Sequence, residues 1–279
     1  MKLADDAVAT ILRLAVPTPI ARKAGLTYAP GAKGMLDVYR PGRPRLGAPM
    51  AVFFYGGSWQ SGDRGFYRFV GAALASRGII TVIPDYRVHP EVRYPDFLHD
   101  CAEAVAYARS RAGDWGADPA KLFLIGQSAG AYNAAMLALD RRWLGAAGLE
   151  PSVDLAGAIG LAGPYDFLPL RDKTLETIFG PEEQRPLTQP LAHAHGRGPP
   201  MLLLAGGKDT AVRPGNTVRL ARAVRAAGGD AESKIYPQIG HSGIITAMLA
   251  PLRHRAPVLD DIVRFVAAHG AGVGCGAAA

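Results

Sequence analysis

The sequence predicts an α/β fold with a mostly parallel central sheet of about eight strands and helices on both faces. Short segments that suit buried strands alternate with segments that suit helices, as in repeated strand–helix–strand units. The chain also contains 34 glycines and 22 prolines without a repeat period, and these residues favour many tight turns. At 279 residues, a single domain over 1–279 is the organisation expected for this class.

Eight segments are predicted to be strands, because short apolar or alternating runs bounded by turn residues favour an extended chain. In chain order they are 26–29, 35–40, 50–55, 79–83, 121–125, 157–161, 201–205 and 233–236. The first two surround a glycine-rich turn, and we expect them to add an antiparallel edge to the sheet. Helices are predicted among the later strands and near the end of the chain: 67–77, 96–111, 129–140, 217–227 and 258–269.

Three further segments lie outside this alternation. Residues 1–20 are predicted to form an N-terminal helical extension, because their apolar side chains recur at helical spacing. Residues 164–200 are irregular and rich in proline, and we interpret them as a small cap or lid over the carboxyl edge of the sheet, where such folds bind ligands. Residues 270–279 are expected to be a flexible tail.

Composition argues against several classes of protein. The formal net charge is +7, but the basic residues are scattered and no nucleic-acid-reading motif accompanies them. No uncharged apolar run reaches the roughly 18 residues of a membrane span. The two cysteines, Cys101 and Cys275, suit neither a disulfide framework nor a zinc site, so we expect a cytoplasmic protein. A protein whose N-terminal signal has been removed is an alternative to the cytoplasmic one. The sequence is compatible with both a monomer and a homodimer.

The strongest local motif is Gly-Gln-Ser-Ala-Gly at 126–130. It follows a predicted strand and opens a predicted helix, which is the context of a G-x-S-x-G nucleophile elbow. Such a turn is strained, so the positions two residues before and after Ser128 must be very small. Ser128 is therefore the candidate nucleophile.

A serine hydroxyl needs a base, and the base needs an acid to orient it. Of the seven histidines, His241 lies between glycines directly after a late predicted strand, and it is the candidate base. Asp209 follows the strand predicted at 201–205 and falls between Ser128 and His241 in the chain, so it is the candidate acid. Asp166 is the alternative acid.

Acyl transfer also needs hydrogen-bond donors for the oxyanion. The segment Tyr-Gly-Gly-Ser-Trp at 55–59 follows the third predicted strand, where a glycine-rich oxyanion loop belongs in this kind of fold. The backbone N–H groups of Gly57, Ser58 and Ala129 are the predicted oxyanion hole.

On these motifs the chain resembles the α/β-hydrolase superfamily. Within it, the chain is similar to the group containing hormone-sensitive-lipase-like esterases, feruloyl and acetyl-xylan esterases and kynurenine formamidases. The resemblance covers about 26–266 and rests on five segments: 55–59, 85–91, 126–130, 206–209 and 240–242. It implies the α/β-hydrolase fold with a Ser128–Asp209–His241 triad and no metal or organic cofactor.

The resemblance also bears on individual side chains. Trp59, Tyr55 and Tyr165 are expected to line the substrate pocket, with Phe66 and Tyr67 as weaker candidates. Tyr55 stands where the family usually has a histidine that supports the oxyanion loop. The segment Asp-Tyr-Arg at 85–87 suggests a polar pair of Asp85 with Arg87 behind the site.

These observations favour a serine carboxylic-ester hydrolase acting on small to medium acyl esters, because the lid segment is short. An arylformamidase that cleaves an N-formyl amide is the alternative, motivated by Trp59. A non-catalytic α/β-hydrolase that binds a ligand or a partner protein is the third hypothesis. The expected partner is thus a small-molecule ester, with no nucleic acid and no membrane span.

Overall fold

The computed structural model describes residues 20–43 and 46–270. Within these ranges eight strands form one sheet, in the spatial order β1-β2-β4-β3-β5-β6-β7-β8. The strands are β1 Ile20–Thr27, β2 Met35–Pro41, β3 Ala48–Phe54, β4 Ile80–Pro84, β5 Ala117–Gln127, β6 Gly157–Leu161, β7 Met201–Gly206 and β8 Ala231–Tyr236. β2 pairs antiparallel with β1 and with β4, and the other neighbouring strands run parallel. The predicted mostly parallel sheet with an antiparallel edge is confirmed.

Helices cover both faces of this sheet. Their bounds are α1 Arg68–Ala75, α2 Asp96–Ser110, α3 Ala112–Trp115, α4 Ala129–Leu139, α5 Arg141–Ala146, α6 Pro151–Asp154, α7 Lys173–Phe179, α8 Gly215–Ala226, α9 His241–Thr246 and α10 Val258–Gly270. Helices α1 and α10 pack on one face, and α2, α4 and α8 pack on the other. Short 3₁₀ turns occupy Glu182–Thr188, Pro190–His193 and Ala250–Arg255. In the described ranges, no helix combines the length and apolarity that crossing a membrane would require.

The central strands are continuous apolar runs in the sequence because they are buried on both faces. Every residue of β4, β6 and β7 is buried, because a parallel strand with helices on both sides has no solvent face. The edge strand β1 is mostly exposed and carries Arg22 and Lys23, charges of the kind that discourage pairing with another chain.

The structure departs from the sequence prediction at several boundaries. Strand β1 begins at Ile20, the last residue of the predicted N-terminal helix, and residues 1–19 lie outside the described part of the chain. The tail predicted over 270–279 also lies outside it, except Gly270, which ends α10.

The cap segment 164–200 contains more regular structure than expected. Helix α7 forms within it because the Asp172 carboxylate accepts hydrogen bonds from the N–H groups of Thr174 and Leu175, at 2.8 and 3.0 Å. Such an N-cap satisfies amides that the first turn cannot pair. Ile178 and Phe179 of this helix are buried, so the cap is anchored by its apolar face.

Candidate active site

The candidate nucleophile elbow is built by the junction of β5 with α4. Ser128 adopts φ 55° and ψ −121°, a conformation that costs a non-glycine residue on the order of 1–3 kcal/mol. Its N–H donates to the Leu161 carbonyl at 2.9 Å, which fixes the turn to the neighbouring strand. A Cβ atom added to Gly126 would lie 2.1 Å from the Gly130 carbonyl oxygen. A Cβ atom added to Gly130 would lie 2.0 Å from the Phe54 carbonyl oxygen. The elbow therefore requires glycine at both positions.

The connections that follow three different strands bring a serine, a histidine and an aspartate together. His241 is the first residue of α9, rather than a loop residue, and its Nε2 lies 3.0 Å from Ser128 Oγ. Its Nδ1 lies 2.7 Å from Asp209 Oδ2. In the arrangement that satisfies all three groups, Nδ1–H donates to the carboxylate and the Ser128 hydroxyl donates to Nε2.

The acid of this array is itself held in place. Asp209 is buried, with 4% of its surface exposed, and its Oδ1 accepts hydrogen bonds from the N–H groups of Ala211 and Val212 at 3.0 and 2.8 Å. Its other oxygen is thus left for His241. Asp166, the alternative acid, instead pairs with Arg219, so it does not orient the histidine.

The loop after β3 presents backbone N–H groups beside the serine. Gly57, Ser58 and Trp59 have φ values of 136°, 53° and 57°, so the chain turns through three successive left-handed residues. The Gly57 carbonyl accepts hydrogen bonds from Gln60 and Ser61 at 3.0 and 3.1 Å. Over 20–43 and 46–270, the N–H groups of Gly57, Ser58 and Ala129 donate to no protein acceptor. These are the three amides predicted to form an oxyanion hole.

Tyr55 supports this loop from behind and does not line the pocket, so that prediction is wrong. The side chain is fully buried, and its hydroxyl donates to Asp85 Oδ1 at 3.0 Å. Tyr86 stacks on its ring, with centroids 4.7 Å apart, and donates its own hydroxyl to the Tyr55 carbonyl at 2.6 Å. Burial raises the pKa of Tyr55 far above its usual value, so the phenol keeps its proton.

The expected pairing of Asp85 with Arg87 is also wrong. Asp85 is buried and pairs with Arg64, whose guanidinium also contacts Asp37 at 3.1 Å. Arg87 instead binds Asp100 on α2 at 2.6 Å. The reason is burial, because a buried carboxylate such as that of Asp85 needs hydrogen-bond donors that are themselves largely buried. The Arg64 side chain is 20% exposed, whereas the Arg87 side chain is 42% exposed.

A cavity of about 420 Å³ opens beside Ser128 and His241. Its walls combine the carboxyl edge of the sheet with the segment 164–200. They are Ser58, Trp59, Ser128, Ala129, Pro164, Phe167, Pro169, Leu170, Arg171, Asp172, Leu175, Ala211, Val212 and His241. Trp59 is thus a wall of the cavity, as the sequence predicts.

Tyr165 is not a wall of this cavity, which corrects its predicted role. It is fully buried, and its hydroxyl occupies the space where a Cβ on Gly160 would stand, 1.8 Å away. Phe66 is 72% exposed, and Tyr67 packs against Phe53 and Tyr55. Neither Phe66 nor Tyr67 contributes to the cavity.

Sequence reasoning missed the cap side chains that enclose the site. Phe167, Leu170 and Leu175 supply much of the apolar lining. A signal was present, because Asp172 suits an N-cap and Leu175, Ile178 and Phe179 recur at helical spacing. Arg64 and the buried Asn133 were also missed, since their partners are distant in the sequence.

The chain has recognisable relatives among curated proteins. It is 27% identical to the isoprenylcysteine alpha-carbonyl methylesterase of Arabidopsis thaliana, over 86% of this chain and 61% of that protein. It is 28% identical to the esterase LipC of Mycobacterium tuberculosis, over 66% of this chain and 50% of that protein. The chain therefore spans 61% and 50% of the length of these two relatives.

Solved structures share its fold. A truncated carbohydrate esterase from gut microbiota matches with a TM-score of 0.77 at 19% identity, over 90% of this chain and 96% of that one. Thermogutta terrifontis esterase 2 matches with a TM-score of 0.72 at 24% identity, over 91% of this chain and 95% of that one. The BD-FAE family model matches residues 36–224, which include Ser128 and Asp209. The chain belongs to the BD-FAE family of α/β-hydrolase-fold esterases.

Proposed function

We propose that this chain hydrolyses small to medium carboxylic esters through an acyl-enzyme formed on Ser128. The observation that carries the proposal is the continuous path from Ser128 Oγ to His241 Nε2, at 3.0 Å, and from His241 Nδ1 to Asp209, at 2.7 Å. Ser128 and His241 both line the cavity. Two relatives are named as esterases, which supports the proposal that the bond cleaved is an ester.

Acylation begins with the hydroxyl proton of Ser128. His241 Nε2 takes this proton as Oγ attacks the ester carbonyl, and a tetrahedral intermediate forms. The imidazole becomes an imidazolium, and the buried Asp209 carboxylate stabilises it through the Nδ1–H hydrogen bond. Asp209 can serve this role because Ala211 and Val212 already hold its second oxygen.

The negative charge of the intermediate develops on the former carbonyl oxygen. The N–H groups of Gly57, Ser58 and Ala129 are the donors that receive it, and loss of one such donor costs about 2.7–4 kcal/mol of the barrier. Ala129 opens the 11-residue helix α4, whose N-terminal end also favours negative charge.

Collapse of the intermediate releases the alcohol, which takes its proton from the imidazolium of His241. Water then enters the cavity, His241 removes a proton from it, and the same steps run on the acyl-enzyme to release the acid. No protein group outside the triad and the oxyanion amides is required for this cycle.

The cavity sets the class of substrate. Its volume of about 420 Å³ lies near the lower end of the range of small-molecule sites. Trp59, Phe167, Leu170 and Leu175 make much of its wall apolar, so a short acyl or small aromatic group fits better than a long lipid chain.

An N-formyl aromatic amide is a second candidate substrate. Trp59 and Phe167 both line the cavity, with ring centroids 6.0 Å apart and nearly parallel planes. These rings offer an apolar surface on which an aryl group could pack.

The test is hydrolysis of p-nitrophenyl acetate, butyrate and decanoate, beside release of formate from an N-formyl aromatic amine. We expect turnover of the two short esters, and loss of that turnover in Ser128→Ala with folding retained. Asp209→Asn should lower kcat by about 10⁴-fold, because the histidine loses its orienting acceptor. Ser152→Ala, a surface serine on α6, is the matched control and should match the parent. Ester turnover that survives in Ser128→Ala would refute the proposal.

A further inference from the structure

Helix α4 contains one buried amide side chain among apolar residues. All residues from Ala129 to Leu139 are buried, and Asn133 has no exposed surface. Asparagine is a poor residue for a helix interior, and a buried amide is unfavourable unless its polar atoms are paired. Both atoms of Asn133 are paired: Oδ1 accepts from Trp59 Nε1–H at 3.0 Å, and Nδ2 donates to Cys101 Sγ at 3.5 Å.

The tryptophan held by Asn133 is fixed on its other sides as well. The Trp59 carbonyl accepts a hydrogen bond from the His89 N–H at 2.8 Å. The Trp59 ring makes T-shaped contacts with the rings of Tyr132 and Phe179, at centroid distances of 5.0 and 4.8 Å. The indole N–H is the only polar group of this side chain, and it is directed at Asn133.

Trp59 also closes the strained part of the oxyanion loop. Ser58 and Trp59 are consecutive non-glycine residues with positive φ, a conformation that persists only where surrounding contacts enforce it. The Ser58 N–H, one of the three candidate oxyanion donors, belongs to the Gly57–Ser58 peptide, which lies one residue before this anchored side chain. A shift of the indole would therefore turn that N–H away from the oxyanion.

Helix α4 carries the nucleophile at its start and Asn133 further along. Ser128 is the N-cap of this helix, and Asn133 lies about one and a half turns later. A single rigid element thus fixes both the attacking oxygen and, through the Trp59 indole, the loop that receives the negative charge.

We propose that Asn133 is a positioning residue of the oxyanion hole, which holds the Ser58 amide in place through its hydrogen bond to Trp59. This inference rests on the proposed esterase function. It predicts that Asn133 stabilises the tetrahedral intermediate more than it stabilises bound substrate.

The first test is Asn133→Leu, which keeps the branched shape of the side chain and removes its acceptor and its donor. We expect kcat for p-nitrophenyl acetate to fall about tenfold or more, part of the 10²–10³-fold loss that follows removal of a whole donor. KM should stay within about threefold, because the interaction acts on the transition state. Affinity for a trifluoromethyl ketone, which forms a tetrahedral adduct on the serine, should fall by the same factor as kcat. Tyr236→Phe is the control: it deletes a buried hydrogen bond of β8, to Asp261 Oδ2 at 2.6 Å, and should change neither quantity.

The second test is Trp59→Phe, which keeps an aromatic ring and removes the N–H. It should lower kcat and ketone affinity, and adding Asn133→Leu should cause little further loss, because both changes break one interaction. The inference is overturned if the two losses multiply, or if Asn133→Leu keeps kcat and ketone affinity within about twofold of the parent. If Asn133→Leu does not fold, Trp59→Phe decides: the inference is then overturned if Trp59→Phe keeps kcat and ketone affinity within about twofold of the parent.

Failure of this inference differs from failure of the esterase proposal. In the first case Ser128→Ala abolishes turnover while Asn133→Leu retains it. In the second case Ser128→Ala itself retains turnover.

Discussion

Replacing Tyr55 by phenylalanine isolates one hydrogen bond behind the oxyanion loop. The ring would keep its stacking on Tyr86 and Tyr67, and only the hydroxyl would be lost. That hydroxyl donates to Asp85 Oδ1 at 3.0 Å and accepts a long hydrogen bond from the Tyr86 N–H at 3.4 Å. Asp85 would keep the main-chain and side-chain donors of Arg64, so the carboxylate would be underpaired but not isolated.

The cost follows from the charge and burial of the acceptor. A hydrogen bond to a charged group contributes about 1.5–3 kcal/mol, and the long contact with the Tyr86 N–H adds little. We therefore expect the free energy of unfolding to fall by about 1.5–3 kcal/mol, which is roughly 3–12 °C in Tm at about 2–4 °C per kcal/mol. Tyr86→Phe, which loses a bond to a neutral carbonyl, should cost only about 0.5–1.5 kcal/mol.

The assay is urea unfolding of the parent and the two variants, followed by circular dichroism. Tyr107→Phe is the control, because the Tyr107 hydroxyl has no hydrogen-bond partner among the described residues, and it should stay within about 0.5 kcal/mol of the parent. The reasoning would be refuted if Tyr55→Phe were as stable as the Tyr107 control, or if Tyr86→Phe were the more damaging change.

Two further predictions concern backbone space and charge. Gly130→Ala should cost about 1–3 kcal/mol or more in unfolding free energy, because its Cβ meets a main-chain carbonyl at 2.0 Å. Gly145→Ala, in a helix with nothing within 4 Å of the new Cβ, should be neutral or stabilising by up to about 1 kcal/mol, and equal losses would contradict this. Burial opposes ionisation of Asp37, but hydrogen bonds from Arg22 and Arg64 hold its pKa below the usual value. The stability that this carboxylate contributes is therefore present above about pH 4 and lost as pH falls through the lowered pKa. Asp37→Asn should destabilise at pH 7 and approach the parent at pH 2–3 in denaturant titrations; a constant difference would argue against it.

The sheet, and the proximity of the three candidate triad residues, could be predicted because local patterns and topology agree. Strands buried on both faces are continuous apolar runs, and β6 spans the residues predicted for it, Gly157–Leu161. The carboxyl ends of parallel strands meet at one edge of a sheet, so chain order alone places Ser128, Asp209 and His241 near one another.

The side chains that support the site were not predictable in the same way. Arg64 follows the oxyanion loop in an irregular segment, and nothing local shows that it reaches Asp37 and Asp85. The resemblance predicts that Tyr55 and Tyr165 line the pocket, yet both side chains are fully buried in the core. Whether an aromatic ring near a site faces solvent or core depends on packing between distant elements, which sequence pattern does not encode.

Mass spectrometry of a covalent adduct tests the central claim most directly. The parent and Ser128→Ala would each be treated with an organophosphonate ester and digested, and the modified peptide would be sequenced. The account predicts one stoichiometric phosphonyl group, on Ser128 in the parent, and no labelling of the variant. Modification of another residue in the parent, or equal labelling of Ser128→Ala, would contradict it.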